Sequence, residues 1–343
     1  MSSAAELREV VDPERLGAYL DANLPGAGQT TVEKHIAGFS NETWFVNRSG
    51  ERYVLRRPPR GPLLPTAHDV VREYRFLTAL ADTPARVPRP VLLCEDTTII
   101  GAPFYLMERK DGVVIRDQIP AALDSEAERR RIGFEMVDAL AEMHSVDWQA
   151  AGLQGKPEGF LDRQLKRWQS QADLSVGKVR DLPELTRIGD WLRARKPESG
   201  PSTVVHGDYK LDNVMFAADA PARLIAIFDW EMATIGDPLA DLGWLMHTWG
   251  KPDLMAENDP LPLTALAGFP TREELAEHYA EKTGREMKDF TFYHVMALWK
   301  LAIILEGLYV HYVQGTASNP GAAEFEFRVP LLIRRAQRLI EQA

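Results

Sequence analysis

The sequence predicts a two-lobed α+β fold, with an antiparallel-sheet lobe over residues 1–108 and a larger, mostly helical lobe over 109–343. Three observations carry this. Short runs of alternating apolar residues at 32–36, 44–46, 53–56 and 104–108 are separated by turn-forming residues, the pattern of hairpin strands with one covered face. A helical face follows at 125–145, where Ile132, Met136, Leu140 and Met143 recur at helical spacing. Beyond residue 245 the periodicity is helical again, at 271–283, 289–313 and 325–342. A chain of 343 residues with 45% hydrophobic and 26% charged residues is long enough for two lobes and leaves no room for a dominant disordered tract.

Within the first lobe, residues 38–43 (Gly-Phe-Ser-Asn-Glu-Thr) lie between two strand patterns and read as a hairpin turn. Its backbone amides, around Ser40, Asn41 and Thr43, are candidates to cradle phosphates. Tyr53-Val54-Leu55 ends at Arg56, whose planar fork suits both phosphate oxygens and a carboxylate; the adjacent Arg57 is the alternative. The next element, 67–81, is the one helix expected before residue 108, with Val70, Tyr74, Leu77 and Ala81 on its apolar face. Glu73 beside that face can reach Arg56, or can pair with Arg72 or Arg75 at the surface. The last strand, 104–108, runs into a polar connector, 108–112, that begins at Glu108.

The second lobe holds the most informative residues. His206-Gly207-Asp208-Tyr209-Lys210-Leu211-Asp212-Asn213 lies between the apolar pairs and triplets 204–205 and 214–216, and a further apolar run, 224–228, ends at Asp229. Phosphoryl transfer needs a carboxylate to accept a hydroxyl proton and oxygen ligands to hold magnesium on nucleotide phosphates, all on rigid turns. Asn213 follows Asp208 by five residues, the separation of base and magnesium ligand in the catalytic loop of protein kinases. Asp208 is thus the candidate base, and Asn213 and Asp229 are the candidate magnesium ligands. Lys210 would bring an ammonium to the transferring phosphate.

Together with Gly236-Asp237-Pro238-Leu239-Ala240-Asp241 downstream, these motifs resemble the aminoglycoside phosphotransferase family, within the class of protein-kinase-like folds, over most of the chain. The segment 228–245 is most similar to the branch fused to, or encoded near, acyl-CoA dehydrogenases. The resemblance implies ATP- and Mg2+-dependent phosphorylation of a hydroxyl on a small molecule, an aminoglycoside or a hydroxylated acyl thioester. It further implies that His206 braces the loop, that Asp241 holds the loop backbone, that Glu73 aligns Arg56, and that the connector from Glu108 bonds the adenine edge. The residues alone read Asp241 as a cap opening an apolar helix. Arginine at position 56 departs from the lysine of the kinase pattern, and this supports an alternative: a catalytically silent nucleotide-binding regulatory module. A protein kinase fits less well, because Asp229-Trp230-Glu231 replaces Asp-Phe-Gly and no Ala-Pro-Glu follows.

Other classes are excluded by motif. The chain has no Gly-x-x-x-x-Gly-Lys-Ser/Thr loop, no His-Glu-x-x-His helix and no Gly-x-Ser-x-Gly elbow. A net charge of -10 opposes nonspecific nucleic-acid binding. The single Cys94 allows no intrachain disulfide and is expected to pack in the core. Charged residues interrupt the N-terminus, and the apolar run at 302–313 carries Glu306 and is shorter than the ~20 residues that span a bilayer. A cytoplasmic protein without membrane contact is the expectation. Trp244, Trp249, Trp299, Tyr309 and Tyr312 are possible walls of an acceptor pocket, though aromatic residues at helical spacing are more often core.

Overall fold

The computed structural model describes residues 10–35, 41–61, 68–250, 262–316 and 320–343. A helix the sequence reading did not anticipate, α1 (Pro13–Asn23), comes first among the described elements, so the described residues before 108 hold two helices. The signal was local: Asp12 accepts hydrogen bonds from the N–H groups of Glu14 and Arg15, and Pro13 takes the first turn, where no N–H is needed. Five strands follow, β1 (Thr30–His35), β2 (Glu42–Arg48), β3 (Glu51–Arg57), β4 (Pro90–Cys94) and β5 (Phe104–Glu108), with α2 (Val70–Leu80) between β3 and β4. They form one antiparallel sheet in the order β1-β2-β3-β5-β4.

Alternation along the strands decides what each face touches. Trp44, Val46, Leu55, Phe104 and Leu106 pack with Leu16 and Leu20 of α1 on one side, together with the buried Cys94. Val54, Tyr105 and Met107 face the other way, onto Phe76, Leu77 and Leu80 of α2. That second core continues without a break into α3 (Glu126–His144), where Ile132, Met136, Leu140 and Met143 are fully buried. One apolar core therefore runs beneath both halves of the molecule and fixes the cleft between them.

The remainder of the chain comprises α4 (Phe160–Ser175), α5 (Pro183–Ala194), β6 (Thr203–Val205), β7 (Val214–Phe216), β8 (Leu224–Ile227), β9 (Thr234–Gly236), α6 (Leu239–Thr248), α7 (Arg272–Thr283), α8 (Phe290–Val313) and α9 (Phe325–Glu341). The short strands pair as β6–β9 and β7–β8. Helices α4 and α5, also unanticipated, join α8 and α9 in a separate core around Leu165, Leu185, Trp299 and Val329. The expected bilayer shortfall is corrected here. Helix α8 has 24 residues and is long and apolar enough to cross a membrane, but 67% of its most apolar window is buried within the protein. Glu306, fully buried on it, is answered by Arg180 at 2.5 Å.

Candidate active site

Strand β6 delivers the chain into His206-Gly207-Asp208, and α6 holds that loop from below. Asp241, fully buried, accepts the N–H of His206 at 2.6 Å and of Gly207 at 2.7 Å. It is not capping its own helix; its two oxygens are spent on the loop. His144 stands 3.3 Å from the same carboxylate and bonds Tyr279 through its other ring nitrogen at 2.7 Å. Gly207 has φ +85, and a Cβ there would meet the carbonyl oxygen of Met232 at 2.9 Å, so only glycine fits the bend. The His206 ring accepts from the Asp208 N–H at Nδ1 and reaches the Phe228 carbonyl with Nε2 at 2.7 Å. These contacts require the proton on Nε2, a tautomer that makes His206 a strut between the loop and the strand leading to Asp229.

The Asp208 carboxylate is fixed at both oxygens. Oδ1 accepts from Trp244 Nε1 at 2.7 Å, and Oδ2 accepts from Asn213 Nδ2 at 2.8 Å, with Lys210 Nζ at 3.2 Å. Burial raises its pKa, but the ammonium of Lys210, followed by His206 and Lys300, outweighs this and holds the carboxyl below its ordinary range. Asp208 is therefore a carboxylate at neutral pH.

Asn213 also donates Nδ2 to the Asp208 carbonyl, which turns its amide oxygen away from that residue. Its own carbonyl accepts the Phe228 N–H at 2.8 Å, tying the loop to the residue before Asp229. Asp229 adopts the left-handed conformation, φ 64, which turns its side chain out of the strand direction. Its Oδ1 meets Arg56 Nη2 at 3.1 Å across the cleft. Asp229 and Asn213 thus offer one carboxylate and one amide oxygen. Among the described residues no group of three or more His, Cys, Asp or Glu side chains could enclose a metal. Such a sparse oxygen set suits magnesium, which keeps waters and takes the rest of its shell from substrate phosphates.

Arg56, at the end of β3, gathers the sheet side of the cleft. It donates to the Asn41 carbonyl at 3.1 Å, to Thr43 Oγ1 at 2.8 Å and to Glu73 Oε1 at 3.4 Å. Glu73 is 1% exposed, not beside the apolar face of α2 but within it, and its second oxygen accepts from Asn41 Nδ2 at 3.1 Å. Burial disfavours the guanidinium charge, yet Glu73, Tyr105 and Asp229 more than compensate and raise its pKa. Arg57 points elsewhere, to Glu42 at 3.0 Å, so the two arginines are distinguished by geometry. Arg72, on α2, binds the carbonyls of Glu231 and Ala233 just past Asp229 and pins the turn.

Ser40 and the tip of its turn lie outside the described residues. Glu108 is occupied at the cleft margin: its N–H donates to the Arg89 carbonyl, and its carboxylate takes the Arg89 N–H and the Lys110 ammonium, each at 2.7 Å.

A cavity of about 720 Å³ opens beside the loop, bordered by Gly207, Trp244, Arg167, Trp168 and Lys300 among others. Of the five aromatic candidates only Trp244 lines it; Trp249 and Trp299 are core and Tyr312 is exposed. Trp168, Arg167 and Lys300 were missed. The apolar spacing of Phe160, Leu161, Leu165 and Trp168 would have revealed α4, but nothing local marks Lys300 within the apolar run of α8.

With this geometry in place, comparison with known proteins gives a consistent result. The phosphotransferase enzyme family model matches residues 31–278. Acyl-CoA dehydrogenase family member 11 is 36% identical over 321 residues in Rattus norvegicus and 34% over 320 residues in Homo sapiens, covering 90% of this chain. The chain spans about 40% of the length of these curated relatives. A solved structure from Ralstonia eutropha, provisionally described as an aminoglycoside phosphotransferase, is 34% identical with a TM-score of 0.82 and coverage of 97% and 99% of the two chains. Choline kinase from Cryptosporidium parvum, at 14% identity, shares the fold, with a TM-score of 0.65 and coverage of 96% and 97%. The fold is the bilobal kinase-like one, and the chain belongs to the phosphotransferase enzyme family.

Proposed function

We propose that the chain is an ATP- and Mg2+-dependent small-molecule kinase that moves the γ-phosphoryl group to an acceptor hydroxyl. The observation that carries this reading is the double anchoring of Asp208, by Trp244 Nε1 and Asn213 Nδ2, across one backbone hydrogen bond from the strand that presents Asp229 to Arg56. Asp208 orients the acceptor hydroxyl and takes its proton. Because its oxygens are already fixed, no side-chain reordering is needed when the acceptor arrives. Lys210, on Asp208 Oδ2, offsets negative charge beside the acceptor. Arg56 and the backbone near Asn41 and Thr43 hold phosphate oxygens, with Glu73 fixing Arg56. Asp229 and Asn213 would hold magnesium, which supplies charge neutralisation on the phosphates when bound.

The lobes divide the work: residues 1–108 bind nucleotide, and residues 109–343 carry catalysis and the acceptor. Backbone groups after Glu108 take the adenine edge, since its own N–H is committed. The acceptor is an aminoglycoside-like or hydroxyacyl-thioester-like alcohol. The names of the relatives in the acyl-CoA dehydrogenase group favour the second. The test is a screen of purified protein, magnesium and γ-labelled ATP against aminoglycosides, hydroxyacyl-CoAs and simple alcohols. Transfer of label to one class is the expected result. Magnesium-dependent nucleotide binding without transfer to any of them would favour the silent regulatory module.

A further inference from the structure

Lys300 is a half-buried cation to which the phosphotransferase reading gives no ligand. It projects from the middle of α8 to the floor of the loop, where Nζ donates to the Gly207 carbonyl at 2.9 Å. The same ammonium lies 3.9 Å from the ring centroid of Trp244 and 5.4 Å from that of Trp168. It thereby touches the residue preceding Asp208 and one of the two side chains that anchor its carboxylate, the Trp244 indole. The group also borders the 720 Å³ cavity.

The charge balance of that cavity is uneven. Its acids are committed: Asp241 to the N–H groups of His206 and Gly207, Asp69 to the N-terminus of α2 through the Arg72 N–H, and Glu231 to His68 at 3.5 Å. Arg72 is likewise committed, to backbone carbonyls. Lys300 and Arg167 form no ion pair with an acid among the described residues. Arg167 makes a ring contact, 5.3 Å from the centroid of Trp168. Holding an ammonium partly out of water without a carboxylate partner is unfavourable, and an anionic ligand would supply the missing charge.

We propose that Lys300, assisted by Arg167, is an acceptor-binding residue that takes an anionic oxygen, carboxylate or phosphate, of the acceptor and so selects hydroxylated acids over hydroxylated amines. The proposal deepens the phosphotransferase reading and rests on it for the word acceptor. It also carries a pH signature. Burial lowers the Lys300 pKa to about 8, against the opposing pull of Asp208 and Asp241, with Arg167 and Lys210 pushing the same way as burial. His247 is the other titratable neighbour and is neutral in this range. Raising the pH through about 8 discharges the ammonium, and anion binding should weaken there.

Four three-carbon probes isolate the charge: glycerol, glycerate, glycerol 3-phosphate and 3-amino-1,2-propanediol. Their binding to the full chain with Mg-ATP analogue is measured by ligand-observed NMR, beside turnover with Mg-ATP. The wild type should bind both anions at least about tenfold more tightly than glycerol or the amine, one for each 1.4 kcal/mol of charge recognition. Lys300→Met should bring the four to parity, and Lys300→Arg should keep the preference while losing its decline above pH 8. A wild type that binds glycerol or the amine as tightly as the anions, or a Lys300→Met variant with unchanged preference, overturns the proposal. If the anion preference and its loss in Lys300→Met are seen without phosphoryl transfer to any probe, the Lys300 site stands and the transfer reading is what fails for these acceptors. Glycerate and glycerol 3-phosphate together separate a carboxylate site from a phosphate site.

Discussion

Replacing Asp241 with asparagine probes how the loop is held in place. The side chain keeps its shape, but one of the two oxygens that accept the N–H groups of Gly207 and His206 becomes an NH2 that faces a donor. A hydrogen bond to a charged group contributes about 1.5–3 kcal/mol, and the abandoned donor remains buried. A loss of about 3 kcal/mol concentrated on residues 206–208 is therefore expected. If it appears as loop disorder, the fraction of molecules with Asp208 in register falls roughly 100-fold, at about 1.4 kcal/mol per factor of ten. The expected outcome is a kcat lowered by about two orders of magnitude, nucleotide affinity within a few-fold of wild type, and faster amide exchange at His206 and Gly207. Steady-state kinetics, nucleotide titration and exchange mass spectrometry give the three readouts. A kcat within threefold of wild type with unchanged exchange would refute the reasoning, because Asp241 would then not be holding the loop.

Three further predictions follow from the same contacts. Trp244→Phe removes the N–H that binds Asp208 Oδ1 at 2.7 Å. The carboxyl pKa rises, the base form is lost as pH falls through it, and the acid limb of the kcat profile should move upward; an unmoved limb contradicts this. Arg56→Ala should weaken Mg-ATP binding by about tenfold or more, whereas Arg57→Ala, which loses only the Glu42 pair, should leave it near wild type; equal effects in a nucleotide titration would erase the distinction. Burial lowers His247 and His294 to about 3, so as pH falls below about 6.5 the unfolded chain takes protons that the native state refuses. Each should remove about 1.4 kcal/mol of stability per pH unit between these limits. His294 Nε2 has no hydrogen-bond partner among the described residues, so His294→Leu should lessen the drop in urea midpoint between pH 7 and pH 5.

What the sequence disclosed and what it concealed divide along physical lines. That Asp208, Asn213 and Asp229 sit together on short turns is legible, because the strands around them are bounded by clear apolar runs. The Arg56–Glu73 pair is legible as a possibility but not as a choice: only the packing of α2 buries Glu73 and turns Arg57 toward Glu42. Helix α1 was marked by Asp12 and Pro13 and α5 by Pro183 and Glu184 in its first turn, while α4 was marked by periodicity alone in a polar stretch. The contact of Trp244 with Asp208 and the placement of Lys300 could not be read from the chain, although Trp244 was a candidate pocket wall. Each is one residue in a nearly continuous apolar helix, where periodicity gives no preferred face, and their roles arise from tertiary contacts with a loop 36 and 93 residues away. The length of α8 likewise mimics a membrane span until the packing of its faces is known.

The claim on which all of this depends is that the carboxylate at position 208 takes the acceptor proton while the residues around it do the binding. Asp208→Asn preserves the size of the side chain and one acceptor oxygen, so the nucleotide site on the sheet side should be untouched. Measured together, turnover should fall by about 10²–10⁴-fold, the range of a lost general base, with Mg-ATP affinity changed by no more than a few-fold. Turnover that survives the substitution at the wild-type level would remove Asp208 from the chemistry.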